Sequence, residues 1–300
     1  MRITMICIGS TGDVRPYLVL GRELRRRGHE VSICAFANFA SAVKAEGLGF
    51  KPVSGDVKTF MANLMNGANG VAFLKQVRDI GVAVIGQTKN LAPADKTLYA
   101  LRDVTATVDS LPLIASSIVS KKLASGAQGV VLDVKTGAGA LMHTTEASIE
   151  LAQTMVRIGC DAGRRMMALV TDMGEPLGSH VGNALEVKEA IDALSGRVQG
   201  PLLEVSLELG ARMLLLADAA ASVADAKQKL MDALESGRGL ERLRAMITAQ
   251  GGDPACCDDV TRLPQAPVVQ DVPAASSGYV HCMDTVALGN AAQAMGAGRR

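Results

Sequence analysis

The sequence predicts an α/β protein whose first part is a β-α-β-α-β unit of the Rossmann type. Three short apolar runs, at 2–8, 29–35 and 50–53, have the composition of buried strands. Two segments with helical periodicity, 16–27 and 39–46, separate these runs. Strands that alternate with helices in this way favour a parallel sheet with helices packed against it.

A second pattern follows a stretch at 54–70 that carries no clear period. It starts with a short helix at 73–80 and an apolar strand at 82–85. Pro93 then opens a helix at a position where its missing N–H is harmless, and Ser110 caps the helix after that. These elements predict a mainly helical segment behind the first unit.

The remaining sequence returns to strands and then becomes rich in helices. Apolar runs predict strands at 129–134 and 166–171, with a helix at 145–158 between them. Four further helices are predicted, at 181–194, 202–217, 223–236 and 239–249. Near the end, the pattern predicts two short strands, 268–272 and 279–283, and no element after them.

The composition is that of a globular protein without a nucleic-acid or membrane partner. The 300 residues are 48% hydrophobic and 20% charged, with a net charge of +1. No apolar stretch approaches the roughly 18 residues needed to cross a bilayer, so we expect a cytoplasmic location. The six cysteines form no CxxC pair and the four histidines have no neighbour at ligand spacing, so a zinc site is not expected.

A glycine-rich turn at 9–13 follows the first predicted strand and opens the first helix. Such a turn offers backbone N–H groups and a helix dipole to an anion or a sugar hydroxyl. The surrounding sequence, IGSTGDVRPYLVLGRELRRRGHEVSICA, resembles the N-terminus of GT-B glycosyltransferases over residues 1–55. That resemblance implies an acceptor-side loop with Ser10 and Asp13, and Asp13 as a base. The alternative is an ordinary βα turn in which Asp13 caps the helix.

The sequence from 73 to 299 resembles thymidine phosphorylase and pyrimidine-nucleoside phosphorylase. The matching segments are GQTKNLAPADKTLYALRDVTATVDSLPLIASSIVSKKLASGA, VVLDVKTGAGALM, VTDMGEPLGSHVGNALEVKEAI and AQGGDP. The resemblance implies phosphorolysis of thymidine or uridine to the free base and a pentose 1-phosphate. It implies phosphate as co-substrate, no other required cofactor, and a homodimer, although part of the family's dimer contact has no counterpart in this sequence.

Four residues match the pyrimidine-binding positions of that family: Tyr99, Arg102, Ser117 and Lys121. Lys121 lies four residues after Ser117, so the two side chains share one face of a helix. The resemblance implies that Arg102 and Lys121 donate to the ring carbonyl oxygens and that Ser117 bonds the ring edge. Such groups suit a flat, oxygen-rich ring. The alternative is ordinary: a helix-end charge, a small packing residue and a solvated lysine.

Two further motifs have less specific interpretations. By resemblance, the main-chain oxygens of Leu177 and His180 and the carboxylate of Glu189 hold a monovalent cation or calcium. The alternative there is a helix N-terminus with a surface glutamate. The run KTGAG at 135–139 follows a strand but lacks the Walker spacing, so we interpret it as a strand-to-helix turn rather than a phosphate loop.

The phosphate-binding pattern of the phosphorylases, Lys-His-Ser-Thr-Gly-Gly-Val-Gly-Asp, is absent from the sequence. We therefore expect weak or no phosphorolysis, from a chain that is chimera-like and truncated at both ends relative to the family. Two alternatives are open. One is transfer of a sugar from a sugar nucleotide, and the other is a non-catalytic remnant that binds a pyrimidine.

The expected domain organisation follows from the two resemblances. A GT-B-like Rossmann half unit occupies 1–55, and a joint occupies 56–72. The phosphorylase region then contributes a partial helical α domain at 73–126 and a partial mixed α/β domain at 127–262. The start of a C-terminal α+β domain occupies 263–300.

Overall fold

The computed structural model describes residues 2–6, 11–53, 68–84, 92–105, 107 and 109–297. The chain divides into two units. One comprises Met1–Val130 and Gln153–Met166, and the other Val131–Ala152 and Met167–Arg300. The combination of helices with short parallel strands confirms the predicted α/β class.

A three-stranded parallel sheet opens the first unit in the order β1-β2-β3. The elements are β1 (Arg2–Ile6), α1 (Thr11–Arg26), β2 (Glu30–Phe36), a 3₁₀ turn (Ala37–Phe39), α2 (Ala40–Ala45) and β3 (Gly49–Val53). Alternate residues of β2, namely Val31, Ile33 and Ala35, are buried in one cluster with Val43 of α2. This period of two places a single face of the strand in the core, and the predicted β-α-β-α-β order is confirmed.

Three helices follow in the first unit. They are α3 (Ala68–Ile80), α4 (Pro93–Val104) and α5 (Leu111–Ala124). Ser110 takes the predicted N-cap position of α5, but its side chain makes no capping hydrogen bond. The strand predicted at 82–85 is wrong for the described residues 82–84, which have no strand structure. An apolar run forms a strand only when a neighbouring strand accepts its hydrogen bonds.

A two-stranded sheet contains the next pair of predicted strands. These are β4 (Gly129–Thr136) and β5 (Arg165–Asp172), with α6 (Thr145–Asp161) between them. At one end the N–H of Arg165 donates to the carbonyl oxygen of Gln128, and at the other end Met173 donates to Thr136. Because both bonds join residues at the same sequence offset, the two strands run parallel.

A group of helices completes most of the second unit. It comprises α7 (Asn183–Leu194), α8 (Pro201–Leu216), α9 (Val223–Glu235), α10 (Arg238–Ala249) and the 3₁₀ turns Pro254–Cys257 and Val260–Arg262. Ile191 is fully buried beside Cys256 and Cys257, with Leu243 and Ile247 of α10 against them. Both thiols are free and act as small apolar groups.

The two strands predicted at 268–272 and 279–283 are wrong. Both segments lack strand structure, and Val269 is 87% exposed. Their β-branched residues have the right composition, but the described chain pairs no strand with them. A helix that the sequence did not predict, α11 (Thr285–Ala294), follows, and the Asp284 side chain caps it. Among the described residues, we find no helix with the length and apolar character needed to cross a membrane.

Candidate functional site

Helices α4 and α5 form an antiparallel pair that carries the predicted pyrimidine-binding positions. At one end, Asp95 in the first turn of α4 lies against Lys121 in the last turn of α5, with Oδ2 and Nζ 3.0 Å apart. At the other end, Arg102 donates from Nη1 to the carbonyl oxygen of Leu113, 3.4 Å away. The start of each helix therefore meets the end of the other.

Ser117 and Lys121 lie together, as their spacing predicts. Lys121 Nζ donates a hydrogen bond to Ser117 Oγ at 3.0 Å. Ser117 is buried and the side chain of Lys121 is 20% exposed. The ammonium group is therefore held in a fixed place and largely withdrawn from water, rather than extended into solvent.

Asp95 is the member of this group that sequence reasoning missed. Its side chain is only 10% exposed, and its carboxylate forms the ion pair with Lys121. No local spacing relates the two residues, because they belong to different helices. The one available signal was an acidic residue in a first helical turn, which the helix dipole explains equally well.

Arg102 is buried and bound to the backbone of the α4–α5 connection. Its Nε donates to the carbonyl oxygen of Thr107 at 3.3 Å, in addition to the bond to Leu113. At 1.5 Å of rise per residue, Leu113 and Lys121 are about 12 Å apart along α5. Leu113, the acceptor for Arg102, and Lys121 thus lie four residues on either side of Ser117. Tyr99 belongs to α4, and its side chain lies outside the described residues.

The predicted cation site contains a buried carboxylate rather than a surface one. Glu189 on α7 is 6% exposed. Its Oε1 accepts the N–H of Ser179 at 2.7 Å, and its Oε2 accepts the N–H of His180 at 3.3 Å. The backbone of Gly178 also passes close by, since an added Cβ there would lie within van der Waals overlap of the same carboxylate. Glu189 therefore orders the loop before α7, the loop that contains Leu177.

The donor set around Glu189 suits a hard cation only in part. Both carboxylate oxygens already accept N–H bonds. The described residues contain no group of three or more His, Cys, Asp or Glu side chains that could hold a metal ion. Main-chain carbonyl oxygens would have to supply the other ligands. The cation site stays a prediction, and the role supported by geometry is that of a loop anchor.

The run KTGAG begins with the last two residues of β4, and two of its N–H groups bond within the protein. Gly137 donates to the carbonyl oxygen of Met142, and Gly139 donates to that of Met173. Lys135, at the start of the turn, is paired with the Asp133 carboxylate, with Nζ and Oδ2 2.6 Å apart. These donors are therefore engaged with protein groups, which agrees with a strand-to-helix turn and not with a phosphate cradle.

The residues of the predicted glycosyltransferase loop are not assembled into a described site. Ser10 lies outside the described residues. Asp13 lies inside the first turn of α1, which begins at Thr11, and its side chain also lies outside the described residues.

Comparison with known proteins identifies the family. The sequence model of the glycosyl transferase family, a/b domain, matches residues 58–240, and the chain belongs to this family. The chain is 53% identical over 227 residues to the pyrimidine-nucleoside phosphorylase of Bacillus subtilis, covering 76% of this chain and 52% of that protein. It is 51% identical over 227 residues to the enzyme of that name from Staphylococcus aureus, with the same coverage. The chain therefore spans about half the length of the curated relatives it matches.

The similarity to solved structures is of a different kind. A glycosyltransferase of Streptomyces sp. SF2575, solved in complex with thymidine diphosphate, aligns over 66% of this chain and 44% of its own. The sequence identity is 18% and the TM-score is 0.20. A score this low supports no argument about fold or function, so the GT-B resemblance of the N-terminus stays a prediction.

Proposed function

We propose that this chain binds the base of a pyrimidine nucleoside on the α4–α5 helix pair and takes part in phosphorolysis of the glycosidic bond. The observation that carries the proposal is the 3.0 Å contact between Lys121 and Ser117, two largely buried polar groups. This contact lies inside the family-matched region, 58–240. The names of the curated relatives support the substrate class.

Arg102, Ser117 and Lys121 are hydrogen-bond donors of the kind that a leaving pyrimidine base requires. When the glycosidic bond breaks, negative charge develops on the base and is spread over its carbonyl oxygens. Arg102 and Lys121 would donate to those oxygens, and Ser117 would bond the ring edge. Because Lys121 is already held by two side chains, little reorganisation is needed when charge develops.

The phosphate half of the reaction has less support. The glycine-rich phosphate pattern of the phosphorylases is absent from the sequence, and the N–H groups of Gly137 and Gly139 in the KTGAG turn bond to carbonyl oxygens of the protein. We therefore infer that base binding is the stronger activity of this chain and that phosphorolysis is slow. A cation at Glu189 would contribute by ordering its loop and would take no part in the chemical step.

Uracil binding, measured by isothermal titration calorimetry, tests the base-binding part. Lys121→Gln removes a charged donor and should weaken uracil binding about tenfold or more. Lys122→Gln is the matched control, since Lys122 is the adjacent lysine on the same helix and is exposed. Its affinity should stay within about twofold of the unmodified chain. Equal effects of the two substitutions would contradict the proposed site.

Phosphorolysis is tested by incubating the chain with uridine or thymidine and phosphate, and measuring the release of free base. We expect slow release that Lys121→Gln abolishes. Fast release that does not depend on Lys121 would contradict the assignment. Uracil binding without any release would leave a pyrimidine-binding protein, and transfer from a sugar nucleotide would instead support the glycosyltransferase alternative.

A further inference from the structure

Two adjacent cysteines, Cys256 and Cys257, form a pair of free thiols at the end of the 3₁₀ turn Pro254–Cys257. We propose that this pair is a binding site for trivalent arsenic, which it holds through both sulfur atoms. The two cysteines belong to the second unit, whereas the predicted pyrimidine-binding residues belong to the first. Arsenic binding is therefore independent of the proposed function and can be tested separately from it.

Both thiols lie in one apolar cluster. Cys256 is 7% exposed and Cys257 is 5% exposed. The cluster also contains the buried side chain of Ile191 on α7, and Leu243 and Ile247 of α10 pack against it. Burial, followed by the neighbouring Cys256 thiol, raises the pKa of Cys257, so Cys257 is a neutral thiol at pH 7.

Neutral thiols in an apolar cluster favour trivalent arsenic over a divalent metal ion. Arsenite, As(OH)₃, forms two As–S bonds and loses two As–OH bonds, and each thiol proton leaves with a hydroxide as water. The oxidation state of arsenic does not change and the product is uncharged, so no ion is buried. A divalent cation instead requires thiolates and further ligands. The described residues contain no group of three or more His, Cys, Asp or Glu side chains that could supply such ligands.

The adjacency of the two cysteines favours a bridge over a disulfide. The Cα atoms of neighbouring residues are about 3.8 Å apart, whereas a disulfide usually joins Cα atoms about 4.4–6.8 Å apart. A direct S–S bond would therefore be strained, and a bridging arsenic atom relieves this strain because it lets the two sulfurs stay further apart. Once one As–S bond has formed, the second thiol reacts within the same molecule, at a high effective concentration. A single cysteine has no such advantage.

The turn can expose the two thiols without unfolding of the whole unit. The residues on either side of the pair are held by ion pairs, Asp253 with Arg262 and Asp258 with Arg244. The side chains of Asp253 and Arg262 are 53% and 51% exposed, and exposed pairs of this kind stabilise a structure little. A short turn held in this way opens locally more easily than the helices beside it. Arsenite can therefore reach both sulfurs in the folded protein.

Arsenite binding to the full chain, measured by mass spectrometry of the intact protein under native conditions, tests the proposal. The chain is incubated with sodium arsenite, and excess glutathione, a monothiol, then removes arsenic from single cysteines. We expect one arsenic atom per chain to remain, and we expect dithiothreitol, a dithiol, to release it. In Cys256→Ser and in Cys257→Ser, the glutathione concentration that removes half of the arsenic should fall about a hundredfold. Cys160→Ser is the matched control, because it removes an exposed single cysteine and should change nothing.

The charge states of the same ions give a second measurement that needs no substitution. Arsenic should be found on ions with the low charge states of the folded protein. Arsenic found only on the highly charged ions of unfolded chains would show that the folded protein keeps these thiols closed, and the proposal would fail. Equal retention of arsenic by all three serine variants would also overturn it, because single cysteines would then account for the binding.

Discussion

Replacing Gly137 by alanine should destabilise the second unit more than the same replacement at Gly139 or Gly196. Gly137 has φ +110°, a conformation that L residues rarely adopt, and an added Cβ would lie 2.7 Å from the backbone nitrogen of Gly174. Backbone strain of this kind costs about 1–2 kcal/mol. Overpacking against backbone adds about 1–3 kcal/mol, because the neighbour cannot rotate away. The expected loss is about 3–4 kcal/mol.

Two other glycines of the same unit separate these contributions. Gly196 has φ +72° and open space around the added Cβ, so Gly196→Ala should show only the backbone term, about 1 kcal/mol. Gly139 has no positive φ, but its added Cβ would lie 2.9 Å from the carbonyl oxygen of Met173. Gly139→Ala should therefore show mainly the packing term, about 2 kcal/mol.

Urea denaturation followed by circular dichroism measures the three losses. The urea midpoint should be highest for Gly196→Ala, lower for Gly139→Ala and lowest for Gly137→Ala, and the m-value should not change. The loss for Gly137→Ala should be close to the sum of the other two. A Gly137→Ala protein within about 0.5 kcal/mol of the unmodified chain would refute the close approach of the KTGAG turn to the end of β5.

Three further predictions concern single groups. Glu189→Ala should cost about 2 kcal/mol, because it removes the buried acceptor of two part-buried N–H bonds, from Ser179 and His180. An unchanged urea midpoint would contradict the role of Glu189 as a loop anchor. Burial raises the pKa of the Cys257 thiol above its ordinary value of 9.0. The neutral thiol therefore stabilises the fold fully below about pH 9, and this stabilisation is lost as the pH rises further. Cys257→Ala should make the fall in Tm above pH 9 less steep. The hydrogen bonds that Arg244 donates lower the pKa of Asp258 below its ordinary value of 3.8. The pair therefore stabilises the fold above about pH 3.8, and this stabilisation is lost as the pH falls. Asp258→Asn should reduce the fall in Tm between pH 6 and pH 2.

Much of the fold was predictable because the signals are local. Pro93 at a helix start and Ser110 at a cap position located α4 and α5, and a short apolar run located β2. The predictions failed where pairing was needed. The runs at 268–272 and 279–283 have strand composition, yet no described strand accepts their hydrogen bonds. The cap residue Asp284 was a local signal that could have located α11.

The sequence by itself determined the contact between Ser117 and Lys121, because residues four apart on a helix are neighbours whatever surrounds them. Only the tertiary structure decided that Asp95 faces Lys121, since the antiparallel packing of α4 on α5 brings together two helix ends that are distant in sequence. Tertiary packing likewise buried Glu189 and engaged Arg102 with carbonyl oxygens. The helical period determines which face of a helix a residue occupies, whereas only tertiary packing determines which charged group lies opposite it.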